Sequence, residues 1–219
     1  AEGGILYRRG HQYRLMPDLL GDFIIERSCL TPEDRLNTLA DRVFNAAPRD
    51  LLGNVLVNLG RLDWRRNSGD VSKNYLVDHL WRALLQSTDH RDAALDAATA
   101  AAFYNPRQAL RFVEQQMDEG KTPKQLSTIL KRVSYHQEYV RPACELLWEL
   151  GRDDGRKENS HPEHGVRVLK ELVAVEPGKP ISFNRAAVDF GLSLLAQPDA
   201  FSYSHSPFDF LSGILSGEG

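Results

Sequence analysis

Apolar residues in this chain recur three and four apart, in one short run after another from Leu19 to Leu195, and prolines or glycines punctuate the runs. That period marks helices with one buried face. The chain is therefore constrained to a mainly α fold in which each helix finds cover on its neighbours. With 219 residues, 42% of them hydrophobic, it can bury a sizeable core, as one large domain or an extended array. A formal net charge of −3 leaves no overall polycationic footprint for nucleic acid. No run of about 18 apolar residues and no signal-peptide pattern occurs, so a cytoplasmic protein without membrane contact is expected. Cys29 and Cys144 sit inside apolar helical patterns, which predicts buried thiols rather than a bridge.

The runs can be taken in order. Thr31-Pro32-Glu33-Asp34 reads as a helix start, with threonine as N-cap, and Leu36, Leu39, Val43 and Phe44 as the buried face. Pro48 restarts the chain, and Leu51, Leu52, Val55, Leu56, Leu59 and Leu62 carry a helix to about Arg66. Tyr75, Leu76, His79, Leu80, Ala83 and Leu84 mark the next helix, stopped by Ser87 to Asp89. The alanine-rich run from Asp92 to Tyr104 predicts a helix that allows close backbone approach. Helices follow from Pro106 to Gly120, from Thr122-Pro123 to Val133, and from about Tyr139 to Leu150. Two more span roughly 162–175 and 182–195, parted by Glu176-Pro177-Gly178-Lys179-Pro180. Pro106 and Pro142 lie 36 residues apart and Leu130 and Leu169 lie 39 apart, a spacing that fits αα-hairpin repeats of HEAT or TPR type in loose register. The tail offers Phe208, Phe210, Leu211 and Ile214 for packing on this chain or on a further repeat.

The stretch before these helices has a different pattern. Ile5 to Tyr7 and Tyr13 to Met16 are β-prone and are joined by Arg8-Arg9-Gly10-His11-Gln12, which predicts a short hairpin. Pro17 and Asp18 then suit a first helical turn, and Leu19, Leu20, Phe23, Ile24 and Arg27 follow at helical spacing. A hairpin leading into such a helix has the form of the end of a winged helix-turn-helix, with residues 4–16 as the wing.

The segment from Tyr13 to Phe23 resembles the end of the winged-helix domain of STAND-class NTPases, signal-transduction ATPases with numerous domains. In that class a Met-His-Asp-Leu signature follows the wing, and its histidine senses the phosphates of bound ADP. This chain has Met16, Asp18 and Leu19 in the matching places and Pro17 where the histidine would stand. Bacterial branches of the class, antiviral-defence ATPases among them, resemble this Pro-Asp-Leu form. Proline has no side-chain donor, which argues against direct phosphate sensing there. The resemblance implies that residues 1–30 end a winged-helix domain, with Met16, Pro17, Asp18 and Leu19 at a hinge equivalent to the nucleotide sensor. Residues 31–219 would then form a helical-repeat sensor or scaffold. The chain opens in mid-wing without methionine, so a longer parent protein is expected. The resemblance implies that this parent would hold ATP and Mg²⁺, with no cofactor bound in this portion.

Other features carry little chemistry. Arg8, Arg9 and Arg14, with His11, could touch DNA phosphates as wings often do; structural or intramolecular contact is the stronger expectation. His161, Glu163 and His164, with Asp153 and Asp154, could supply metal ligands, but no third histidine has suitable spacing and no metal site is expected. His79 beside Trp81 reads as a satisfied, half-buried histidine. Arg65 and Arg66 suit the negative pole of a helix end. Asp78 and Glu145 lack a paired carboxylate at helical spacing. Ser202-Tyr203-Ser204-His205 reads as a loop, and no G-x-x-x-x-G-K-[ST] phosphate loop occurs. No catalytic residue is expected. The reading that follows is a non-catalytic hinge and sensor of a STAND-type ATPase, whose helical surface meets a protein ligand or other domains of its parent. The alternative is a winged-helix DNA-binding regulator with a helical effector domain.

Overall fold

The computed structural model describes residues 6–9, 12–15, 18–33, 35–86 and 91–217; of residues 6–9, 12–15, 18–22, 49, 91, 216 and 217 it describes the backbone alone. The fold is mainly helical. Strands β1 (Leu6–Arg9) and β2 (Gln12–Leu15) pair antiparallel, Leu6 opposite Leu15 and Arg9 opposite Gln12. Gly10, His11, Met16 and Pro17 lie outside the described residues, and no wing is shown. By its contacts the chain divides into two compact units, Ala1–Tyr104 and Asn105–Gly219. The partition into 1–30 and 31–219 is a separate reading that rests on the resemblance alone.

The first unit contains α1 (Asp18–Cys29), α2 (Thr38–Ala46), α3 (Leu52–Arg66), α4 (Asp78–Gln86) and α5 (Arg91–Ala101). The expected helix start at Thr31 does not form. The Thr31 N–H goes to the Arg35 carbonyl at 2.8 Å, and Leu30 bridges Leu36, so the segment closes a turn. Asn37 opens α2 instead, its side-chain oxygen accepting from the N–H groups of Leu39 and Ala40. Started there, α2 buries Ala40 and Phe44 and leaves Leu39 and Val43 exposed, at 41% and 46%. Tyr75 and Leu76 precede α4 rather than joining it, and the core face of α4 is Leu80, Trp81 and Leu84. Asp34 and the stop expected at Ser87–Asp89 lie outside the described residues. The alanine-rich helix does allow close approach. A methyl group on Gly53 of α3 would stand 3.1 Å from Ala100 Cβ and 3.3 Å from Ala97 Cα of α5.

The second unit contains α6 (Pro106–Asp118), α7 (Gln125–Val133), α8 (Gln137–Gly151), α9 (Gly165–Val173), α10 (Ile181–Leu195) and α11 (Pro207–Leu211). Its core includes Val113, Leu126, Leu130, Leu147, Val166, Leu169 and Phe210. Phe210 lies 5.9 Å from the Trp148 ring and stacks on Phe190 at 6.4 Å. The tail therefore packs on this chain through Phe210 and Leu211, while Phe208 and Ile214 stay exposed. The 36-residue spacing of prolines does not mark equivalent positions. Pro106 opens α6, where its missing N–H has no helical partner to lose. Pro142 lies inside α8, where it removes one rung of the ladder.

Candidate functional site

The second unit carries a groove of about 480 Å³ where the C-terminal ends of α7 and α9 meet the start of α10. Val140, Leu172 and Phe183 supply apolar lining, Pro177 and Pro180 form a stiff wall, and Tyr135 stands at the edge, 61% exposed. A pocket of this volume, with apolar walls and a few polar groups, has the usual form of a binding site. Val175 and Ile181, beside the wall, are also exposed.

What fixes the groove is the closure of α9. The last carbonyls of a helix need donors from outside it. Here Lys179 Nζ donates to the carbonyls of Glu171 and Leu172, each at 2.8 Å, and of Ala174 at 3.1 Å. Asn184, buried on α10, shares its amide hydrogens among the carbonyls of Leu172, Val173 and Ala174. A lysine at this pole is favoured by the helix dipole as well. Burial pushes the Lys179 amine below the ordinary lysine range, and the attraction of Glu176 works against that. Lys131 of α7 pairs with Glu171 at 2.5 Å, and Arg167 reaches the same carboxylate at 3.5 Å. Glu176 is exposed on the groove wall and forms no ion pair among the described residues.

The histidine-rich turn before α9 is a clamp. His164 is fully buried and caps α9: its Nδ1 accepts from the Val166 N–H at 3.2 Å. Nε2 therefore carries the proton, and it faces the Asp154 carbonyl at 3.3 Å. His205 Nε2 lies 2.8 Å from the same oxygen, with the two rings edge to face at 4.8 Å. Asp154 is gripped by Arg156, Nη2 to Oδ2 at 2.6 Å and Nε to Oδ1 at 2.9 Å. That guanidinium holds the Asp154 carboxyl down at about 2. Glu163 draws Lys124 and Arg156, both at 3.4 Å, and His161 at 3.5 Å. Asp154 and Glu163 are thus paired chiefly with Arg156 and Lys124, while Asp153 is exposed and reaches Arg152 at 3.8 Å. No cluster of three or more His, Cys, Asp or Glu arranged to hold a metal occurs among the described residues.

The other sequence-marked residues are dispersed. Arg8 and Arg9 lie on β1, Arg14 on β2, and Asp18 and Leu19 begin α1; Met16 and Pro17 lie outside the described residues. His79 Nε2 meets Asp41 Oδ1 at 2.6 Å, so this histidine has its partner in α2. Arg66 pairs with Glu26 of α1 at 3.2 Å. Tyr203 donates to Asp199 at 2.5 Å and lies under the Arg152 guanidinium at 4.5 Å. Both cysteines are free; Cys144 is buried, and its thiol is pushed up to about 12, chiefly by burial.

Sequence reasoning passed over Glu176 and Lys179, because the stretch from Glu176 to Pro180 read as a linker, and over Asn184, which read as one more residue of the following helix. A lysine shortly after a helix end was the available signal. It also passed over Asp63, buried in α3. This carboxylate accepts from the Leu76 N–H at 2.8 Å and from Asn67 at 3.0 Å; burial raises its pKa and those bonds oppose the rise. Asn67 also donates to Asn74, whose amide reaches the Tyr104 carbonyl. Among the described residues no helix is long and apolar enough to cross a membrane. No family model matches the chain, and no curated protein or solved structure is significantly similar to it.

Proposed function

We propose that this chain is a non-catalytic regulatory portion of a STAND-type signal-transduction ATPase, a hinge followed by an irregular array of αα-hairpins that docks a protein segment. The observation that carries the docking half is the groove between α7, α9 and α10, with apolar walls and an exposed aromatic edge. The hinge half rests on the resemblance around Met16, Pro17, Asp18 and Leu19. On this reading ATP and Mg²⁺ are held by other parts of a cytoplasmic parent protein, and antiviral defence is the setting the resemblance suggests. Ligand docking would then bias a two-state element by binding one state more tightly than the other.

The experiment is to read the coding sequence ahead of Ala1. A phosphate loop followed by an acidic Mg²⁺-binding strand within a few hundred codons is the expected result. An upstream segment holding only a helix-turn-helix would refute the ATPase reading. It would make Arg8, Arg9 and Arg14 DNA contacts and the helices an effector domain.

A further inference from the structure

We propose that His164 makes the start of α9 a clamp that acid loosens: its neutral ring joins α9 to the turn after α8, and a second ring proton breaks that joint. The geometry fixes which nitrogen is bare. Nδ1 accepts from the Val166 N–H at 3.2 Å, and Nε2 faces the Asp154 carbonyl at 3.3 Å. A second proton would sit on Nδ1, donor against donor, and would leave the Val166 N–H without its acceptor. It would also put a charge on a ring that is fully buried. The Asp154 carbonyl holds another ring as well: His205 Nε2 lies 2.8 Å from it, and the His205 N–H donates to the Arg152 carbonyl at 3.0 Å. One proton at His164 therefore acts where the start of α9, the turn after α8 and the segment before α11 are tied together.

The charged groups around the ring are already engaged. Asp154 Oδ2 lies 3.5 Å from His164 Nε2, but Arg156 grips both oxygens of that carboxylate. Glu163 is drawn by Arg156, Lys124 and His161. Asp153 is exposed and reaches Arg152. Asp209 of α11 lies 3.8 Å from His205 Nδ1; a proton placed there would set a cation beside the His164 ring, whose centroid is 4.8 Å away. The closed clamp thus needs a bare Nδ1, whereas a histidine in the open chain takes its second proton at about pH 6.5. The contribution of the clamp is present above that pH and is lost as pH falls below it.

The test follows the Val166 amide of the whole chain by hydrogen exchange in NMR, from about pH 7.5 to about pH 5.5, with each rate divided by the intrinsic rate at that pH. One proton taken up on opening raises the opening constant by up to tenfold per pH unit below about pH 6.5. The wild type is therefore expected to lose roughly tenfold in protection at Val166 by the acid end of that range. His164→Asn keeps a side-chain oxygen to cap α9 and has no ring to titrate, so its protection, whatever its level, should change less than about twofold. His205→Asn should keep the wild-type dependence. The ring nitrogens give a reading that needs no variant: at neutral pH His164 should show Nε2–H and a bare Nδ1. Wild-type protection that does not change with pH, or a proton on Nδ1 at neutral pH, would overturn the proposal. So would the full dependence persisting in His164→Asn, or its loss in His205→Asn, which would assign the proton to the other ring.

Discussion

Replacing Gly165 by alanine should cost the second unit about 2 kcal/mol. A methyl group there would stand 2.3 Å from the Leu147 carbonyl oxygen, 3.0 Å from Gly151 N and 3.2 Å from Gly151 Cα. All three obstacles are backbone atoms of α8, so no side chain can turn aside to admit it. Relief requires α8 and α9 to separate by roughly 1 Å, against the close packing of Leu147, Val166 and Leu169. Overpacking of this kind costs about 1–3 kcal/mol, and a rigid obstacle belongs in the upper half of that range. Alanine returns part of this, because it is a better helix residue than glycine by up to about 1 kcal/mol. The net loss should lower the melting temperature of a unit this size by roughly 8 °C. Scanning calorimetry of the whole chain is the assay, and Gly155→Ala is the control, since a methyl group at Gly155 meets nothing within 4 Å. The control should stay within about 0.5 kcal/mol of wild type. If Gly165→Ala melts with the wild type, the α8–α9 crossing is not as close as described and the argument fails.

Two further outcomes follow from the same unit. The Asp154 carboxyl, held down at about 2 by Arg156, stabilises the fold above the ordinary carboxylate range and loses that contribution as pH falls from about 5 to 2. After allowance for solvent screening it is worth about 1 kcal/mol. Urea midpoints of wild type and Asp154→Asn should therefore differ near neutrality and converge at acid pH; a gap that stays constant with pH would refute the assignment. Cys144, buried and with its thiol pushed up to about 12, should not react with an aromatic disulfide reagent at pH 8 until the chain unfolds. Labelling at the same rate with and without denaturant would contradict its burial.

The helices were largely legible because an apolar period of three and four residues is a local signal that tertiary packing reinforces. Leu56, Leu59 and Leu62 on α3, and Leu126, Ile129, Leu130 and Val133 on α7, are all buried as their spacing implied. The failures share a cause. Thr31-Pro32 is a good local helix start, yet the Arg35 carbonyl captured the Thr31 N–H, and Asn37 offered a cap tied back to the Ser28 carbonyl at 2.8 Å. With the helix opened at Asn37, Leu39 and Val43 face outward. Tyr75 and Leu76 lie ahead of α4, Tyr75 is exposed, and the face of α4 that packs is Leu80, Trp81 and Leu84. The groove was illegible for a different reason. Its lining spans Lys131 to Phe183 and is drawn from α7, α8, α9, α10 and the two loops that join α7 to α8 and α9 to α10, and no spacing along the chain announces that those segments converge.

The two ends of α9 differ in how their polar groups are satisfied. At the N-terminal end, His164, His205 and the carbonyl of Asp154 satisfy one another, with Arg156 and Glu163 completing the clamp. There the paired histidine rings and the Val166 N–H of α9 find their partners within the chain. At the C-terminal end the carbonyls are likewise satisfied, by Lys179 and Asn184, but the residues that reach them leave Pro177, Pro180 and Phe183 standing apart from Tyr135 and Val140. Because Lys179 and Asn184 satisfy those carbonyls, no orphaned acceptor draws the loop inward. An apolar occupant would cover Phe183, Pro177 and Pro180 without displacing any donor that the end of α9 needs.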